Sequence, residues 1–444
     1  MKVLVITYYF PPSGGAGVQR TLKFVKYLRD FGWEPVVLTA AKADYPVYDE
    51  SLFAEIPPGT KVYRSKIIEP YKIYRLFTGK KSDESADIAT LSLDRQAKGK
   101  LSERIAEWMR ATFFVPDARI GWRRYARRLG RKIIAREGID LIYSSAPPYT
   151  AHLIGMDLHK RSGVPWVADF RDSWVGWLST PQWRPKPCRR MELNMEESVL
   201  RQADKILAAY DGVKQDLLSR HAEYNDDRWV LLSNGYDQSD FKEIVPASKP
   251  PKLTITYTGS IYGKRNPEYL IRALEQLQEQ GSDVVDMIHI RLVGRIGEPI
   301  KKRIQESPIR SVFEIIPYVK HHESLAYLLA TDVSLLIIDD APANRGILPG
   351  KLFEYIGAGR PILALAPDDD AATLIKNEKM GIVVPPKDVE AIQAALVDLA
   401  ERYQQNQLAF TISTALRRQF ERRYLTEKLA KVFDEVSGAS APAI

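Results

Sequence analysis

The stretch Val3-Leu4-Val5-Ile6-Thr7-Tyr8-Tyr9-Phe10-Pro11-Pro12-Ser13-Gly14-Gly15-Ala16-Gly17-Val18 holds the pattern that decides the fold. An aliphatic run, Val3–Thr7, passes through a proline- and glycine-bearing turn. It then enters an apolar stripe at helical spacing, Val18, Leu22, Val25 and Leu28. A second aliphatic run, Pro35–Thr39, follows. Neither run alternates strictly, as expected of strands covered on both faces. Strand, turn, helix, strand is one parallel unit. Further runs at Leu141–Ser145, Trp166–Phe170, Lys205–Ala209 and Val230–Ser233 extend it into a doubly wound parallel sheet.

A second series begins near residue 252. Thr254–Thr258 reads as a strand and Pro267–Gln280 as a helix, with Asn266 as N-cap and Pro267 at its first position. His289–Val293, Phe313–Pro317, Val333–Ile338 and Pro361–Ala366 continue the pattern. Between the two series runs Pro246-Ala247-Ser248-Lys249-Pro250-Pro251, a linker composition. The expected division is 1–248, an acceptor-side domain, and 249–410, a second domain of the same class. Residues 411–444 stand apart, with a last helix near 408–437 packing back, in this division on the first domain. Gly79–Lys100 is polar and weakly periodic, and reads as a loop.

The chain has 444 residues, 45% apolar and 27% charged, which excludes a disordered or collagen-like chain. Its one cysteine, Cys188, excludes an internal disulfide and a thiolate-rich metal site and fits a reducing compartment. The net charge of +8 favours an anionic partner without choosing one. Tyr8–Pro12 break the first apolar run, so no secretory signal is expected, and no stretch reaches the ~18–20 apolar residues that span a bilayer. The expected location is the cytoplasm, or the inner face of a membrane. The second option comes from 107–136, where Trp108, Phe113, Phe114, Trp122 and Tyr125 mix with a cluster of eight basic residues from Arg119 to Arg136, and no acid lies between Ala118 and Arg136. Such a stretch suits an anionic lipid surface, or is a solvated helix whose aromatics pack inward.

Three strand-to-helix turns carry candidate chemistry. Gly14 and Gly15 let the backbone turn and approach a ligand at a helix start. Gly259-Ser260-Ile261-Tyr262-Gly263-Lys264-Arg265 occupies the equivalent place in the second series, and Lys264 and Arg265 beside a helix start suit a diphosphate. In Leu348-Pro349-Gly350-Lys351-Leu352-Phe353-Glu354-Tyr355-Ile356-Gly357-Ala358-Gly359, Pro349 starts a short helix and Gly357 or Gly359 ends it. Lys351 and Glu354 then share a face, the lysine placed for phosphate and the carboxylate for ribose hydroxyls, or the two form an ordinary ion pair. Asp169-Phe170-Arg171-Asp172-Ser173-Trp174 closes a strand, as a site or as a structural salt bridge. Ser233-Asn234-Gly235 ends another strand as a turn. His152 stands behind Ser144-Ser145-Ala146-Pro147-Pro148 as a candidate base or a structural histidine.

Taken in order, the Tyr-Tyr-Phe-Pro-Pro…Gly-Gly opening, Arg171–Trp174, Ser233-Asn234-Gly235 and the Pro-Gly-Lys-Leu-Phe-Glu-Tyr block resemble the GT-B glycosyltransferases, in particular the family 4-like group that elongates bacterial surface polysaccharides. The resemblance covers nearly the whole chain. It implies an α/β GT-B fold of two Rossmann-like domains facing across a cleft. It also implies a nucleotide-sugar donor held mainly by the second domain, and transfer that retains anomeric configuration with no metal and no cofactor. By position, Glu354 binds the donor ribose, and Lys264 or Arg265 with Lys351 neutralises the diphosphate. The Leu352 and Phe353 amides, Gly259, Ser260 and Asn234 complete the donor site, with Gly14 and Gly15 on the opposite wall. Where the family often has a first glutamate eight positions before Glu354, this chain has Gly346, between Arg345 and Ile347.

The expected partners are a nucleotide sugar, a glycan or polyprenyl-linked acceptor and an anionic membrane surface, but no nucleic acid, for which no recognised module is present. Fixed cations and helix-start N–H groups stabilise charge on the departing diphosphate. Asp339-Asp340 and Asp368–Asp370 do not form an Asp-x-Asp metal pair. Asp172 and His152 are candidates for assisting deprotonation of the acceptor. A nucleotide-sugar epimerase of the same fold and a non-catalytic nucleotide-sugar sensor are the alternatives.

Overall fold

The computed structural model describes residues 1–45, 47–68, 111–175, 184–261, 266–340, 348–408, 410 and 412–438. Gly79–Lys100, Trp108, Lys264, Arg265 and Gly346 lie outside them. Two compact units emerge: Met1–Ser233 with the chain from Arg422 onward, and Asn234–Glu421.

The first unit is built on seven parallel strands: β1 (Lys2–Ile6), β2 (Glu34–Ala40), β3 (Lys61–Ser65), β4 (Leu141–Ala146), β5 (Trp166–Phe170), β6 (Lys205–Ala208) and β7 (Trp229–Leu231), in the order 3-2-1-4-5-6-7. The helices α1 (Ala16–Tyr27), α2 (Arg123–Glu137), α3 (Thr150–Ser162), α4 (Lys186–Gln202) and α5 (Asp211–Leu218) connect them. The order reverses between β1 and β4, so the loops after these strands splay apart at the carboxyl edge.

The second unit repeats the scheme on six parallel strands, β8 (Leu253–Thr258), β9 (Ile288–Val293), β10 (Phe313–Ile316), β11 (Val333–Ile337), β12 (Ile362–Leu365) and β13 (Gly381–Val384), ordered 10-9-8-11-12-13. Its helices include α6 (Glu268–Glu279), α7 (Glu298–Gln305), α8 (His321–Leu329), α9 (Gly350–Ala358), α10 (Asp370–Asn377) and α11 (Val389–Gln404). The reversal falls between β8 and β11. Both sheets are the doubly wound α/β type expected. The helix α6 starts one residue later than expected, with Pro267 and not Asn266 as its N-cap, although the Asn266 Oδ1 accepts from the Glu268 amide at 3.0 Å.

Three further expectations change. The units part at Ser233/Asn234 rather than near 248, because the first residues past β7 already pack into the second core: Tyr236 sits among Leu328, Phe353 and Ile356. The proline-bearing stretch is no free linker, since the Ala247 amide donates to the Ala326 carbonyl (3.0 Å) and Arg291 to that of Ser248 (3.0 Å). The terminal helix is two helices, α12 (Thr414–Gln419), capped by Ser413, and α13 (Arg422–Ser437). Leu416 of α12 is buried in the second unit's core, whereas Leu425, Leu429 and Phe433 of α13 pack on Val18, Leu22 and Val25 of α1 in the first.

Between the two readings of the aromatic–basic stretch, the inward one describes Trp122. Its ring is buried and its Nε1 donates to Ser65 Oγ at 2.7 Å. Ala126, Gly130 and Ile133 of α2 face inward, while Arg124, Arg128, Arg131, Lys132 and Arg136 are exposed. Phe113 is 65% exposed.

Asp169 resolves as the structural salt bridge. Arg20, fully buried on α1, grips its carboxylate with two hydrogen bonds (2.9 and 2.8 Å) and donates also to the Leu232 and Ser233 carbonyls (2.8 Å each). Tyr143 (2.6 Å) and Ser145 (2.9 Å) donate to Asp169 as well. Burial alone would raise this carboxyl, but the Arg20 charge and these hydrogen bonds outweigh it and hold it below the usual range. One cluster thereby ties α1 to β4, β5 and the end of β7. Removing one partner strands a charge in the core, so Asp169→Leu is expected to cost about 3–5 kcal/mol in urea unfolding. The double variant Arg20→Met/Asp169→Leu should lose clearly less than the sum of the single losses.

Candidate functional site

The switch point of the second sheet brings the loop after β8 against the start of α9, which follows β11 in the chain. Gly259 leaves β8 at φ 117° and Gly294 leaves β9 at φ 133°, both in the region that favours glycine. Their backbones are in close contact: a Cβ on Gly294 would lie 2.2 Å from the Gly259 carbonyl oxygen. A Cβ on Gly259 would fall 2.5 Å from both Cε and Nζ of Lys351. The glycine therefore makes the space in which the lysine lies.

Lys351 Nζ donates to the Tyr257 hydroxyl and stands 3.8 Å from the centre of the same ring. The Tyr257 hydroxyl in turn donates to the Ser260 carbonyl at 3.0 Å. Pro349 precedes α9 as its N-cap, with no side-chain cap, and Gly359, at φ 67°, ends the helix. Gly357 instead lies against Tyr236, where a Cβ would be 2.6 Å from the ring. The buried side chains of Leu352, Phe353 and Tyr355 seat α9 in the core. The Tyr355 hydroxyl donates to the Leu335 carbonyl of β11 (3.0 Å), and burial holds this phenol well above its ordinary range. The Leu352 amide closes on the Pro349 carbonyl at 3.0 Å, so it is taken up inside the first turn and not offered to a diphosphate as the resemblance implied.

One turn past Lys351, Glu354 is 31% exposed and its Oε1 lies 3.2 Å from Nε2 of His321, on α8. The carboxylate thus meets an imidazole, in place of the local ion pair that a three-residue spacing suggests. Lys351 lies against Gly259, and Tyr257 links it to Ser260, while Glu354 stands one turn further along α9. Sequence reasoning missed Tyr257 and His321. His321 had one usable signal, its place just behind the carboxyl end of β10; Tyr257, an aromatic inside a strand, had none.

In the first unit, Gly15 caps α1 at φ 80°, and Gly14 is pressed against the chain at Val47 and Asp49, its amide donating to the Val47 carbonyl at 2.8 Å. The α1 start has no side-chain cap and no acid in its first turn. Arg171 donates to the carbonyls of Ala146, Gly17 and Pro147, pinning the α1 turn to the end of β4. Trp174 stacks on Tyr149 at 4.6 Å. Asp172 is half-buried; burial pushes its carboxyl up against the opposing charge of Arg171. Asn234, half-buried, is the first residue of the second unit.

His152 is placed as a structural histidine. It is fully buried on α3, with Nδ1 2.8 Å from Ser144 Oγ, which also accepts from Trp166 Nε1 (2.9 Å), and with the Phe170 ring 4.4 Å away. Burial lowers the imidazole to about 3 despite the Asp169 charge, so it stays neutral at working pH, out of reach of a substrate hydroxyl.

Two family models match this architecture. That of the glycosyl transferase 4-like domain matches residues 14–235, half of the chain, and that of glycosyl transferases group 1 matches residues 252–402. The chain belongs to the glycosyl transferase 4-like family and is a glycosyltransferase. Among curated proteins none matches it. Solved structures do. HepE from Anabaena, in complex with UDP, is 14% identical at a TM-score of 0.61, over 98% of this chain and 100% of that one. Sucrose-phosphate synthase from Thermosynechococcus elongatus is 14% identical at 0.62, over 99% and 100%. A putative UDP-N-acetylglucosamine 2-epimerase from Listeria monocytogenes is 11% identical at 0.57, over 99% and 97%. At such identities the likeness is one of fold, and the fold is GT-B.

Proposed function

We propose that this chain is a retaining, metal-independent hexosyltransferase that moves a sugar from a nucleoside-diphosphate donor to a glycan or polyprenyl-linked acceptor, in the synthesis of bacterial cell-surface polysaccharide. The observation that carries the reading is the Lys351 ammonium held at the start of α9, beside Gly259, with the Glu354 carboxylate one turn on. A diphosphate at this point meets a fixed cation and the positive end of a helix. The HepE structures, solved with UDP and with UDP-glucose, support a donor of this class.

In this mechanism the departing diphosphate gathers charge on the bridging oxygen while the sugar becomes oxocarbenium-like. Lys351, with Lys264 or Arg265 and the amides at the α9 start, stabilises that charge more in the transition state than in the ground state. Glu354 accepts from the ribose hydroxyls. The leaving phosphate takes the acceptor proton on the same face of the sugar, which retains configuration, and Asp172, whose carboxyl is raised by burial, assists it. Cations do the work of a metal here. Two of the adjacent acids are otherwise engaged: Asp369 caps α10, and Asp368 pairs with Lys376 at 2.8 Å.

The exposed arginines of α2 support an anionic membrane surface as a second partner, and in this reading the enzyme works in the cytoplasm at the inner face of the membrane. Among the described residues no helix is long and apolar enough to cross a membrane.

Nucleoside diphosphates and their sugars are expected to raise the melting temperature of the wild type. Glu354→Ala should weaken the best binder about 10–100-fold, as loss of charged hydrogen bonds to ribose requires. Gly259→Ala should weaken it comparably, whereas Gly281→Ala, also at positive φ but with open space around it, should cost stability alone. In a transfer assay, EDTA should leave the rate unchanged and NMR should show the donor's anomeric configuration in the product; chelator-abolished transfer restored by Mg²⁺ overturns metal independence. In liposome flotation the protein should rise with anionic vesicles at low salt and stay behind at high salt, and Arg128→Glu/Lys132→Glu should lose the binding.

A further inference from the structure

The His321–Glu354 contact belongs to no motif and is formed by residues 33 positions apart. We propose that His321 is a positioning residue for the donor ribose: its imidazole holds one oxygen of Glu354 so that the other is presented to the sugar hydroxyls. The inference rests on the reading of Glu354 as the ribose-binding carboxylate and goes one step behind it.

The geometry is specific. Glu354 projects from the second turn of α9, and an unsupported glutamate there has several rotamers of similar energy. Only a subset points its carboxylate toward a ligand lying across Lys351 and Gly259. His321 selects among them. It is the first residue of α8, and Leu325 and Leu328 of that helix are buried in the same cluster as Leu352, Phe353 and Ile356 of α9. The two helices are thus locked side by side, and the imidazole is carried on a rigid base. Its Nε2 lies 3.2 Å from Oε1 of Glu354. At that distance the ring N–H donates to the carboxylate, whose other oxygen keeps its lone pairs for two vicinal hydroxyls. Both side chains are about one-third exposed, so a ligand can reach the pair. A carboxylate ordered before binding loses less freedom when the ribose arrives.

The role differs from catalysis and from simple packing. His321 touches no reacting atom in this scheme, and at 34% exposure it contributes little to the core. Its effect should therefore appear only where ribose hydroxyls are present to be bound.

The test is calorimetric titration with UDP, GDP and ADP, followed by the 2′-deoxy and 3′-deoxy forms of whichever binds best. The proteins are the wild type, Glu354→Ala, His321→Ala and His321→Gln. The expected result is about a 5–10-fold loss for His321→Ala with the ribonucleotide, as loss of a preorganising contact predicts. That loss should shrink to less than twofold with a deoxy form, and His321→Gln, which restores an N–H at similar reach, should recover most of the affinity. A uniform loss across ribo and deoxy ligands overturns the positioning role, as does wild-type affinity in His321→Ala. If Glu354→Ala itself binds ribo and deoxy ligands as the wild type does, the ribose reading has failed and takes this inference with it. Comparing Glu354→Ala with His321→Ala tells the two failures apart. Thermal melts of the free proteins, expected within 2 °C of the wild type at so exposed a position, separate binding loss from misfolding.

Discussion

A lysine ammonium laid on the face of a tyrosine is the contact on which the second unit's site is built. Taking Lys351 partly out of water is unfavourable, and the Tyr257 ring and hydroxyl oxygen offset that cost. Because the same hydroxyl donates to the Ser260 carbonyl, the lysine, the strand end and the turn after it are fixed as one piece. The rest follows by exclusion of volume. Lysine needs the space a Cβ on residue 259 would fill, and the Gly259 carbonyl needs the space of a Cβ on residue 294. Two glycines at positive φ accompany one half-buried lysine side chain.

Much of this was legible in the sequence, for physical reasons. Eleven strands declared themselves because a strand covered on both faces must be continuously apolar. The two that escaped, β3 and β13, lie at sheet edges and are mostly half-buried, but so are β7 and β10, whose aromatic and aliphatic residues were read, so edge position alone does not account for the misses. The Lys351/Glu354 face was legible because a three-residue spacing on a helix is local information. His321 was not, because its partnership depends on how two helices pack. The domain boundary failed for a related reason: prolines mark a turn in the chain, but only the packing of Tyr236 tells which core the segment belongs to.

Motif residues divide by what neutralises them. Arg20 and Asp169 consume one another in the core of the first unit, and Arg171 spends its guanidinium on three carbonyls. These residues hold the carboxyl edge of the sheet in shape, so a charged motif at a strand end can be architecture. His152 is the uncharged version of the same case. Its neighbours are aromatic rings and a serine, and a base with its pKa driven down to about 3 accepts a proton only weakly.

The two units use the same strand–glycine–helix arrangement at their switch points, yet the glycines do different work. Gly15 turns the chain, at φ 80° with nothing within 4 Å of a Cβ placed there, whereas Gly259 makes room for a charge. That difference supports the proposed placement of the anion in the second unit. In the first unit the arginine one turn into α1 is cancelled by a carboxylate. In the second, the lysine at the start of α9 donates to a phenol and lies over its ring. A fixed lysine at the end of a helix already favourable to anions suits the proposed diphosphate.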